Sequence, residues 1–108
     1  METQLIIDNQ SVAAKSGATF TRNHPHTGEV VTSAAAGGVA DAVAAADSAQ
    51  TAFLSWRNSA PSERRRLLNK AADVLDSLTP QCIESMGAEV GASVLWAGFN
   101  VFLAANVF

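Results

Sequence analysis

Residues 94 to 108 read Val-Leu-Trp-Ala-Gly-Phe-Asn-Val-Phe-Leu-Ala-Ala-Asn-Val-Phe, with no charge and only Asn100 and Asn106 polar. A helix that is apolar on every side must be buried on every side. This run is too short, and with two asparagines too polar, to read as a membrane span. Three amphipathic helices are expected before it, each offering one apolar stripe, which is not enough to wrap it. The expectation is a truncated chain whose missing remainder covers this helix.

The rest of the composition narrows the class. The 108 residues amount to one small domain, able to bury about two-thirds of the surface its unfolded chain exposes. Seven basic against ten acidic residues leave a net charge of −3, which argues against a nucleic-acid binder working through bulk positive charge. The single cysteine, Cys82, rules out an internal disulfide scaffold. The start, Met1-Glu2-Thr3-Gln4-Leu5, has neither the basic nor the long apolar region of a signal peptide, so a cytoplasmic location is expected.

The pattern along the chain predicts an α+β arrangement: a β-ribbon over residues 1–36, then about four helices over 38–108, in one undivided segment. Leu5-Ile6-Ile7, Ser11-Val12, Thr19 to Asn23 and Val30-Val31-Thr32 read as short strands. Between the last two, Asn23-His24-Pro25-His26-Thr27-Gly28-Glu29 is a turn, with Pro25 presetting φ and Gly28 free to take a positive one. Gly37-Gly38 closes the ribbon as a hinge. A helix from about Val39 to Arg57 is expected to bury Val39, Val43, Ala46, Gln50, Phe53 and Leu54, with Asp41 in its first turn favoured by the helix dipole. Ser59 or Ala60 caps a second helix that starts at Pro61 and runs to about Leu78, with Leu67, Leu68, Ala71, Val74, Leu75 and Leu78 as its stripe. Arg64, Arg65, Asn69, Lys70, Asp73 and Asp76 fall largely outside that stripe. Thr79-Pro80 restarts a third helix with Ile83, Met86 and Val90 on one face, stopped by Gly91.

Few residues carry chemistry. Cys82 falls early in a helix but has no histidine near it in sequence, so it reads as a small buried hydrophobe. His24 and His26 have a His-x-His spacing with no third ligand to complete a metal site, and read as part of a solvated turn. Arg64-Arg65-Arg66 with Lys70 splay around a helix and are diluted by Glu63, Asp73 and Asp76, as expected of a solvated face. Gly37-Gly38 lacks the spacing of a phosphate loop. Glu84 and Glu89 project from different sides of a helix and do not make an acid/base pair. Trp96, Phe99 and Leu103 lie at i, i+3 and i+7 on one helix face, beside Phe102. That ridge is either core packing or the wall of a pocket for an apolar ligand.

Taken in order, Leu5-Ile6-Ile7-Asp8-Asn9, the turn from Asn23 to Val30, Ser62-Glu63-Arg64-Arg65-Arg66-Leu67-Leu68 and Glu89-Val90-Gly91 resemble the N-terminal portion of the NAD(P)-dependent aldehyde dehydrogenase superfamily. The run from Met86 to Val101 is similar to its aromatic-aldehyde branch. The chain departs from many relatives at Glu89-Val90-Gly91-Ala92-Ser93, where Glu-Thr-Gly-Lys-Pro is common, and at His24, where asparagine often precedes the proline.

The resemblance implies a larger α/β protein with a Rossmann-like coenzyme domain, a catalytic domain and an oligomerisation arm. It implies oxidation of an aromatic aldehyde, of salicylaldehyde or benzaldehyde type, through a cysteine thiohemiacetal. The coenzyme, NAD or NADP, would be bound by the missing part, and the parent would be a homo-oligomer without nucleic-acid or membrane partners. The nucleophilic cysteine and the assisting glutamate of such enzymes come later in the chain. Cys82 and Glu89 match neither, no residue here is expected to be catalytic, and the 108 residues alone are expected to be inactive. By register, the resemblance places Trp96, Phe99 and Leu103 on the substrate tunnel. A different class of protein would also fit the composition: a short helical interaction module using the apolar 94–108 helix to dock on a partner.

Overall fold

A computed structural model describes residues 1–107. Two compact units divide the chain. The first comprises residues 1–23 and 29–58, the second residues 24–28 and 59 onward. The turn around Pro25 therefore groups with the later helices, and the first helix groups with the strands.

The first unit contains β1 (Glu2–Thr3), β2 (Leu5–Ile7), β3 (Gln10–Val12), β4 (Thr19–Asn23), β5 (Val30–Ala35) and α1 (Val39–Trp56). β2 and β3 form an antiparallel hairpin, Leu5 opposite Val12, around Asp8 and Asn9. Both turn residues have positive φ, 53° and 57°, the conformation that a tight two-residue hairpin demands and that Asp and Asn tolerate. The second sheet has the order β1-β5-β4. β4 runs antiparallel to β5, Thr19 opposite Ala35. β1, too short to stand out as a strand in the sequence, pairs in parallel with β5, Glu2 opposite Ser33. The Met1 ammonium ties it down by donating to the Val31 carbonyl at 2.7 Å.

At the start of α1 the Gly37-Gly38 pair is a helix start. Gly38 is the N-cap, and its N–H donates to the Asp41 carboxylate at 2.8 Å. The other Asp41 oxygen accepts the Lys15 N–H at 3.0 Å, fastening the loop after β3 to the helix. Gly37 is required by proximity: a Cβ there would sit 3.3 Å from Leu5 Cδ2.

The buried face of α1 is not the expected one. Asp41 is buried and Ala44 and Ser48 half-buried, at i, i+3 and i+7, whereas Val39, Val43, Phe53 and Leu54 are exposed. Small side chains let this helix approach its neighbours closely, and its larger apolar residues point away.

The second unit stacks α2 (Pro61–Ser77), α3 (Thr79–Val90) and α4 (Val94–Ala105). Ala60, not Ser59, is the N-cap of α2, and Pro61 occupies its first turn, where the missing N–H costs nothing. Leu78 ends α2 and caps α3, so only one residue separates the two helices. Of the expected α2 stripe, Leu75 is half-buried, while Leu67, Leu68, Val74 and Leu78 keep much of their surface. Arg64 is half-buried rather than solvated, and donates from Nε to Ser59 Oγ at 2.9 Å. On α3, Ile83 and Met86 are half-buried and Val90 is exposed. Gly91 terminates α3 in the left-handed conformation, φ 68° and ψ 24°.

α4 is not enclosed. Among its residues only Ala97 and Val101 are buried, because α2 and α3 reach it from one side alone. Phe108 lies outside the described residues. No helix among the described residues is long and apolar enough to cross a membrane.

Candidate functional site: the outward face of the last helix

The αL turn at Gly91 delivers the chain to α4, whose start is fixed by Ser93. Its Oγ accepts the Trp96 N–H at 3.3 Å. With 3.6 residues per turn, Trp96, Phe99 and Leu103 fall within an arc of about 60°, facing away from Ala97 and Val101. All three keep about half their surface: Trp96 is 59% exposed, Phe99 49% and Leu103 51%. Within this unit the ridge is therefore a free surface and not core packing. The Trp96 and Phe99 rings lie 5.9 Å apart between centroids, tilted by 33°, a favourable separation for an aromatic pair. An open depression of about 450 Å³, lined by Ser93, Leu95, Trp96 and Phe99, adjoins them. Leu103 shares the face but does not line it. Such a surface offers dispersion and ring contacts to a flat apolar ligand, and no acid, base or nucleophile.

Asn100 interrupts this apolar helix for a local reason. Its Nδ2 donates to the Trp96 carbonyl at 2.8 Å, as Asn106 does to Phe102. Sequence reading registered both asparagines only as interruptions. The i to i−4 spacing of each was the available signal.

The remaining candidates stay apart from this face. Cys82, half-buried, lines a second open groove of about 420 Å³ with Leu75, Leu78, Met86, Asn100, Val101 and others. His24 and His26 sit in their turn, where His24 Nδ1 accepts the backbone N–H groups of His26 and Thr27 at 3.2 and 3.3 Å. No group of three metal-binding side chains occurs among the described residues. Glu63 and Arg66 pair on the surface at 2.7 Å; the guanidinium holds the Glu63 carboxyl below its ordinary value.

The helix starts do not suit a dinucleotide. A coenzyme pyrophosphate needs free N–H groups at a helix N-terminus. At α1 the Asp41 carboxylate already takes those of Gly38 and Lys15, and these bonds hold its pKa low. A phosphate there would meet a negative charge.

Comparison with known proteins fixes the family. The model of the aldehyde dehydrogenase family matches residues 12–108. The chain belongs to that family. It is 53% identical over 108 residues to the salicylaldehyde dehydrogenase of Pseudomonas putida, covering 100% of this chain and 22% of that protein. It is 47% identical over 107 residues to the vanillin dehydrogenase of Pseudomonas fluorescens, covering 99% of this chain and 22% of that one. The crystal structure of a salicylaldehyde dehydrogenase from Pseudomonas putida G7, complexed with salicylaldehyde, matches 99% of this chain and 22% of its own with a TM-score of 0.96 and 52% identity. The chain thus spans about a fifth of the length of these relatives, as an α+β segment of an aldehyde dehydrogenase.

Proposed function

We propose that this chain is the N-terminal part of an enzyme that oxidises an aromatic aldehyde, of salicylaldehyde or benzaldehyde type, to its carboxylic acid. The reaction consumes the aldehyde, water and NAD⁺ or NADP⁺, and releases the acid, the reduced coenzyme and a proton. The outward face of α4 forms one wall of the aldehyde site through Trp96, Phe99 and Leu103. The observation that carries this reading is the tilted Trp96–Phe99 pair left half-exposed on an uncharged helix. Similarity to relatives named for salicylaldehyde and vanillin supports it.

These residues bind and orient; they do not react. Nucleophile, base and coenzyme site belong to the remainder of the parent, which works as a cytoplasmic homo-oligomer. The fit test above agrees with that division, since neither the α1 start nor Cys82 supplies a dinucleotide or thiolate site.

A hybrid enzyme tests the proposal. Residues 1–108 of this chain replace the matching stretch of the Pseudomonas putida salicylaldehyde dehydrogenase, and formation of reduced coenzyme is followed with salicylaldehyde and with acetaldehyde. The hybrid is expected to favour salicylaldehyde. A folded hybrid with equal kcat/KM for the two aldehydes would overturn the reading.

A further inference from the structure

We infer that Ser93 and Asn100 are positioning residues for the Trp96 indole and thereby set how strongly the site prefers aromatic over aliphatic aldehydes. This rests on the α4 wall proposed above.

The two polar groups of the Trp96 backbone are each held by a side chain. Its N–H belongs to the first turn of α4, where no helical carbonyl is available, and Ser93 Oγ accepts it. Its carbonyl takes the Asn100 Nδ2 hydrogen at 2.8 Å. The indole itself is more than half exposed, and its ring neighbour within the unit is Phe99, on the same helix. Packing from other elements therefore does not aim it; the backbone that carries it does. Asparagine is a poorer helix former than leucine or alanine, and a side chain bonded back to the i−4 carbonyl bends a helix. A polar residue that weakens α4 at this place, while gripping the residue that faces substrate, is accounted for by aim rather than by stability.

Asn100→Leu and Ser93→Ala separate these roles in the hybrid enzyme. Leucine raises helix propensity, so the helix persists while the bond to Trp96 is lost. Each variant is expected to lower kcat/KM for salicylaldehyde about fivefold, the worth of roughly one hydrogen bond, and to leave acetaldehyde unchanged. Ser93→Thr, which keeps the capping oxygen, restores the salicylaldehyde value. Equal losses on both aldehydes would show a merely structural role and overturn the inference. If Trp96→Ala discriminates between the aldehydes but these two variants do not, the inference falls and the α4 wall stands. If Trp96→Ala itself does not discriminate, both fall. Should Asn100→Leu not fold, the Ser93 pair, on an exposed cap, decides alone.

Discussion

Truncating Trp96 to alanine in the hybrid enzyme should separate aromatic from aliphatic substrates by an amount the structure allows to be worked out. The indole is 59% exposed on the face opposite Ala97 and Val101, so its removal opens no cavity in the packed side of α4. What is lost is the surface offered to the substrate. A benzene ring laid against an indole hides about 50 Å² of apolar surface on the protein, worth about 1.3 kcal/mol. Ring-on-ring contact adds about 0.5–1.5 kcal/mol beyond area. The sum, about 2 kcal/mol, corresponds to a loss of about 30-fold in kcat/KM for salicylaldehyde. Acetaldehyde has no ring and about one methyl to place, so its kcat/KM should change by less than about threefold. The assay is initial-rate formation of reduced coenzyme over a range of each aldehyde, with Trp96→Phe as the intermediate case. A fall of equal size for both aldehydes would refute the reasoning, because it would mean that Trp96 acts through the fold and not through ring contact.

Further expectations follow from other parts of the chain. Gly91→Ala places a Cβ at positive φ and 3.2 Å from Pro25 Cγ, so the hybrid should lose about 1–2 kcal/mol from backbone strain alone, read as a lower thermal midpoint. Asp41 is a carboxylate with a depressed pKa, held first by the Gly38 N–H and then by that of Lys15. Its stabilising effect is complete above the ordinary value of 3.8 and lost as pH falls through the lower folded value. Asp41→Asn should flatten the acid limb of a plot of thermal midpoint against pH, and an unchanged limb would contradict the clamp. The 108-residue chain alone should give no reduced coenzyme with salicylaldehyde and either nicotinamide dinucleotide; measurable turnover would contradict the assignment of the reacting groups to the remainder.

Element boundaries were legible because they rest on local chemistry. Pro61 and Gly91 each act through their own φ, and Asp41 acts on donors at the helix start beside it. α1 accordingly begins at Val39, α2 at Pro61, and α3 ends before Gly91. The buried face of α1 was not legible. Its periodic apolar residues, Val39, Val43 and Phe53, mark a face able to be buried, but periodicity does not say which neighbour arrives or from where. Here Asp41, Ala44 and Ser48 took that side, since two long-range N–H donors fix the carboxylate and the small residues admit close approach. The same reason explains α4. Its composition demands cover on all sides, and within this unit α2 and α3 supply cover only over Ala97 and Val101. For the aldehyde-facing ridge, spacing placed Trp96, Phe99 and Leu103 together correctly but could not choose between core and wall; their exposure made the choice within this unit. Arg64 was misread because a charged residue next to Arg65 and Arg66 looks solvated, whereas Ser59 draws it inward.

The buried apolar residues of the described chain are Ala14, Ala35, Ala97 and Val101. Interiors made of methyl groups reverse the usual hierarchy of harmful substitutions. In a leucine-rich core the damaging change is the one that shrinks a side chain and leaves a void. Here little can be shrunk, and the damaging change is growth: a valine or leucine at Ala97 has to push α4 off α3, at a cost of about 1–3 kcal/mol. Genetic drift in this segment should therefore run freely towards glycine and serine at such sites and stall at every larger residue. That makes the alanines, rather than the aromatic ridge, the positions where random mutation most readily disables the fold.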